Sequence, residues 1–138
     1  MKAEKFKNIF TGLDRAHGEY RYSETKLNGK RDGKMFTKHE PPTLQMYQDH
    51  LDGKMPAKSF GAHIFLFSKN PQSAAIFQQK LKEIASYIGY AHTEVFPKQT
   101  QLANEKDTGS WLNLPYHGDT RYAFLDNGEG ASLDEFFD

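Results

Sequence analysis

The chain has 138 residues, eighteen Lys/Arg against eighteen Asp/Glu, and no cysteine. This length makes one domain, residues 1–138, the first expectation, and the lack of cysteine excludes disulfides and thiolate metal sites, as expected of a cytoplasmic protein. A mean hydropathy of −0.79 predicts a thin core, 14% aromatic residues argue against disorder, and no apolar run is long enough to span a membrane.

The first part, residues 1–58, is polar. M-K-A-E-K-F-K lacks the apolar core of a signal peptide. Phe6, Ile9, Phe10 and Leu13 are spaced for a short amphipathic helix that Gly18 would stop. Tyr20 and Tyr22 alternate with charged residues as in a strand, and Asn28-Gly29 is a turn signal, with a further glycine at Gly33. Thr43, after Pro41-Pro42, predicts a capped helix over 44–51 with Leu44, Tyr47 and Leu51 on one face. Residues 1–38 carry ten Lys/Arg against five Asp/Glu, a balance that suits either a phosphate-facing surface or a solvated one.

Residues 59–138 are better patterned. The run at 62–67 is apolar apart from His63 and predicts a central strand buried on both faces. Asn70-Pro71 predicts a helix start. Ala74, Phe77, Leu81, Ile84, Ala85 and Ile88 form one stripe, and Gly89 is the stop. Strands are expected at 93–96, 111–114 and 121–125, and Ser132 should cap a last short helix. The strand–helix–strand over 62–96 would be the heart of an α+β fold. Residues 126–138 carry five acids and no base.

Several polar residues sit where this pattern could use them. His63 follows Gly61, where a small residue lets a ligand approach the backbone. Its imidazole could donate to a phosphate or be a satisfied core histidine. Glu94 could be paired or metal-bound, or simply lie on an exposed strand face. Lys98, just past Pro97, suits a phosphate contact or an ordinary surface. Trp111, Asn113 and Tyr116 could position a base or sugar, or serve as core. Metal-dependent phosphoryl transfer uses two or three carboxylates around its cations. The one acidic pair spaced two apart is Glu105 and Asp107, in a polar loop. No Gly-rich phosphate loop and no paired-histidine zinc motif is present.

These segments carry a resemblance. F-T-G-L-D-R-A-H-G-E-Y at 10–20, S-F-G-A-H-I-F-L-F at 59–67, E-V-F-P-K-Q at 94–99 and W-L-N-L-P-Y at 111–116 resemble the primase domain of TOTE conflict systems. That domain belongs to the archaeo-eukaryotic primase, or primase-polymerase, superfamily. The resemblance covers nearly the whole chain in order, and the E-V-F-P-K-Q and L-P-Y segments are its most specific part. It implies a small sheet like the RRM core, with one long helix and short flanking helices, and template-directed nucleotidyl transfer with Mg²⁺ or Mn²⁺. By the resemblance His63 contacts the triphosphate and Glu94 completes the metal site, the two being the catalytic residues. Ser59, Gly61, Lys98 and Asn113 shape the nucleotide pocket; Gly61 stands where some members have Ser.

The family's first motif, an acidic pair on an apolar strand, has no counterpart. Here only Met55-Pro56-Ala57 lies between the regions that flank that strand in relatives. The expected activity is therefore impaired unless Asp14 or Asp52 substitutes. The readings that stand are an enzyme binding a nucleoside triphosphate and a DNA or RNA template, a non-catalytic nucleotide- or nucleic-acid-binding module, and a folded remnant. Loss of central strands would leave a sheet edge open to self-association.

Overall fold

A computed structural model describes residues 1–25, 31–56 and 62–138. The turn expected at 27–30, and Ser59 and Gly61, lie outside the described residues. In order, the elements are α1 (Lys2–Ile9), β1 (His17–Thr25), β2 (Arg31–Lys38), α2 (Leu44–Leu51), α3 (Ala74–Tyr87) and α4 (Leu133–Phe137). The fold is α+β, the described residues forming helices and a two-stranded antiparallel sheet. Among the described residues no helix is long and apolar enough to cross a membrane. The chain gathers into two compact units, one of residues 1–59 with 113–138 and one of residues 60–112.

In the first unit the apolar spacing of α1 puts Ala3 and Phe6 fully inside. They meet Tyr47 of α2 and Tyr116, with Phe10, Leu114, Leu133 and Phe136 packed around them. Aromatic rings make up most of this centre: Phe6 lies 4.7 Å from Phe10, and Tyr116 lies 5.2 Å from Phe136, centroid to centroid. Local capping sets the helix starts. The Met46 amide donates to Thr43 Oγ1 at 3.2 Å. At α4 the Glu135 amide donates to Ser132 Oγ while the Ser132 amide donates to Glu135 Oε2, a complete capping box. An ion pair and a cation–π contact reinforce the packing of α1 with α4: Lys2 pairs with Asp134 at 2.6 Å and Lys5 lies over the Phe137 ring. Part of the basic N-terminal segment thus meets the acidic C-terminal one.

The β1–β2 hairpin follows the tyrosine alternation, but Gly18 is inside β1, opposite Thr37, and does not end a helix. α1 instead closes at Ile9, where the Phe10 amide still bonds to Phe6 O. On one face Glu19 accepts from Arg21 at 2.9 Å and pairs with Lys38 of β2 at 3.3 Å. The Arg21 bond foremost holds the Glu19 carboxyl below its usual range. Two further contacts tie α2 and the segment after it to residues 115–118: His50 Nε2 donates to Pro115 O at 2.7 Å, and His117 Nε2 donates to Met55 O. The His50 ring stacks on Phe6 and meets the edge of His117. Where these stretches cross, Gly53 and Gly118, both in the left-handed region, lie back to back; a Cβ on either would stand 3.1–3.2 Å from the other's Cα.

The second unit departs from expectation. The strands predicted at 62–67 and 93–96 are not formed. A strand needs a hydrogen-bonded neighbour, and among the described residues β1 and β2 pair only with each other. The 62–67 run, expected to be buried on both faces, is mostly exposed, with Ile64 at 73%. The strand–helix–strand heart is reduced to its helix, α3. This helix starts at Ala74 with Ser73 as N-cap, three residues later than Asn70-Pro71 suggests. Gly89, with φ of +86°, ends it as expected. The segment 111–114 is likewise not a strand, and 121–125 makes only a single bridge, Phe124 to Gly130.

Candidate functional site

The second unit contains a cleft of about 460 Å³, open to solvent, between one side of α3 and the segment after it. Its wall comes from residues four apart on the helix, Gln78 and Lys82, and from Ala91, Thr93, Glu94, Val95 and Lys98. The chain reaches this position through a tight return: the Tyr90 amide bonds to Ala85 O at 2.7 Å and the Thr93 amide to Tyr90 O at 3.0 Å. Gln78 then fastens the far side. Its Nε2 donates to Pro97 O at 2.7 Å and to Lys98 O at 3.0 Å, while its Oε1 accepts from Lys82 Nζ at 2.9 Å. One amide therefore touches the helix lysine and the backbone that carries the loop lysine.

Lys98 Nζ is 2.6 Å from Glu94 Oε1 and 5.1 Å from the centre of the Phe96 ring. The pair is open to water, with the lysine side chain 54% and the glutamate side chain 63% exposed. Beyond it, Asp107 accepts from the amides of Ala103 and Gly109 and from Gln99 Nε2, all at 2.9–3.0 Å. These bonds, the Ala103 amide first, hold the Asp107 carboxyl below its usual range. The polar loop is thus ordered by a carboxylate, and it grips the residue next to Lys98.

The structure brings together Glu94 and Lys98 of the residues singled out in the sequence. His63 is exposed, its ring 6.3 Å from that of Phe65, and it is not part of the cavity wall. His63 and Glu94 do not lie on strands, because neither the 62–67 nor the 93–96 segment forms one. Asn113 is exposed and belongs to the other unit. Tyr116 is a core residue there, its hydroxyl donating to Ala131 O at 3.1 Å. Of the two substitute carboxylates, Asp14 is exposed and Asp52 accepts from both Lys54 and Gln48 at 2.8 Å; both belong to the first unit. Among the described residues no three His, Asp or Glu side chains are placed to hold a metal ion. A Mg²⁺ or Mn²⁺ centre needs several oxygen ligands, so the described donors do not fit one.

Sequence reasoning missed Gln78 and Lys82. The signal was there: a polar pair at i and i+4 along the edge of the helix's apolar stripe. No protein-family model matches the chain, and neither a curated protein nor a solved structure does.

Proposed function

We propose that the chain is a shortened primase-like module that binds nucleotides or nucleic acid through their phosphates and is impaired in template-directed nucleotidyl transfer. The resemblance of four segments, in order, supports the descent. The carrying observation is that its most specific segment, E-V-F-P-K-Q, supplies Glu94, Val95 and Lys98 to the wall of an open cleft that is also lined by Lys82. Impairment follows from chemistry: two-metal transfer requires clustered carboxylates, and the family's acidic pair is missing. A cysteine-free chain suits the cytoplasm, and the two-stranded sheet offers edges through which copies could associate.

The test uses a primed template, deoxynucleoside triphosphates and Mg²⁺ or Mn²⁺. The expected result is no primer extension, together with nucleoside triphosphate binding that weakens in Lys98→Ala. Extension abolished by Glu94→Ala would instead restore the catalytic reading. Absence of both extension and binding of nucleotide or single-stranded DNA would leave a folded remnant.

A further inference from the structure

The Glu94–Lys98 pair stands at the cavity wall, and it changes what Glu94 does there. A metal ligand turns its oxygens to a cation site shared with other oxygens. Glu94 instead places one oxygen 2.6 Å from an ammonium group. A second ammonium, that of Lys82, lines the same cavity and is tied to it by Gln78. Two lysines, one on the helix and one on the segment after it, with a carboxylate bonded to the second, make a seat for an anion whose place is partly taken by a side chain of the protein.

We infer that Lys82 and Lys98 form a seat for a small polyphosphate and that Glu94 is its built-in competitor, displaced when the ligand enters. The inference rests on the phosphate-binding reading above and gives Glu94 the opposite role to a metal ligand. Magnitudes favour displacement. An exposed ion pair is worth little, about 0–1 kcal/mol, whereas a polyphosphate offers several charged oxygens to both lysines at once. Charge also decides the size of the ligand. Residues 60–112 hold five lysines against four acids, far from the basic track that a long nucleic-acid backbone needs. The cavity volume of about 460 Å³ suits a compact ligand.

The experiment is calorimetric titration of the full chain, without divalent cations, with inorganic tripolyphosphate, with a nucleoside triphosphate and with a single-stranded oligonucleotide. Far-UV circular dichroism checks each variant for folding. All three substitutions are at the surface, and Lys82→Ala favours the helix. Lys82→Ala and Lys98→Ala should each weaken tripolyphosphate binding about tenfold, and Glu94→Gln should strengthen it about two- to fivefold. If the nucleoside triphosphate binds tighter than tripolyphosphate, with the same response to the three variants, the seat serves a nucleotide; equal affinities assign it to polyphosphate itself. Unchanged or weaker binding in Glu94→Gln, or no loss in Lys82→Ala, overturns the inference while Lys98-dependent nucleotide binding stands. A gain of affinity on adding Mn²⁺ that Glu94→Gln abolishes also overturns it, in favour of a metal ligand. Preference for the oligonucleotide over both small probes overturns the seat but not nucleic-acid binding. Failure of all three probes overturns the seat and the binding function together.

Discussion

The two units of the chain solve the problem of burial unequally. The first closes fully over Phe6 and Ala3 and brings in Tyr47 and Tyr116. In the second, among the described residues, Ala85 alone is buried; Ile76 is 64% and Tyr87 93% exposed. Phe77, Leu81 and Ile84, the centre of the α3 stripe, are half-buried. A helix of fourteen residues is near the limit of what persists without tertiary support. α3 is therefore held more by its own side-chain bonds and by Gln78 than by a core. The difference teaches that the aromatic content of a sequence is no measure of its core: what matters is whether rings find one another across elements.

The sharpest way to break this contrast is a pair of truncations. Phe6→Ala should cost about 3–5 kcal/mol, read as a large fall in the midpoint of urea or thermal unfolding. Leu81→Ala should cost less than about 2 kcal/mol, since a half-exposed side chain leaves little cavity. Equal losses would show that the second unit has a core after all. Next comes Ser132→Ala, which removes the capping box of α4 and should cost about 1 kcal/mol in urea unfolding.

The pH dependence of stability sharpens the picture of the first unit. Burial, with His117 and Arg121 near, holds the His50 imidazole below the ordinary histidine range, against the opposing pull of the Pro115 carbonyl. The unfolded chain therefore takes up this proton first. Stability is complete above about pH 6.5 and declines as the pH falls towards the depressed value. A chemical-unfolding series from neutral to mildly acidic pH should show this decline, and His50→Gln should flatten it. The smallest effect is expected of Lys2→Ala: the exposed pair with Asp134 should contribute less than about 1 kcal/mol, and the difference from the parent should shrink in high salt.

What could be read in advance was what depends on neighbours in sequence. Thr43, Ser132 and Gly89 act within one turn of helix, and the structure uses all three at the expected ends. Tyr20 and Tyr22 announce their strand because a hairpin partner is a few residues away. The 62–67 run misled because apolar residues on both faces describe the interior of a sheet, and a sheet is made by segments distant in sequence. Asn70-Pro71 competes with Ser73 for the same helix start, and the later residue prevails. In the site, Glu94 and Lys98 were legible as charged residues on either side of Pro97. That they bond to each other, and that Gln78 and Lys82 complete the wall, depends on how the chain folds back onto α3.

The crossing of Gly53 and Gly118 has a consequence for anyone altering this chain. There, main chain rests directly on main chain, with no side chain to yield if the strands of polypeptide shift. Alanine at either position would meet both a left-handed backbone and the opposite α-carbon. The spot works as a hinge pin set without clearance. The two bare positions must be carried along together.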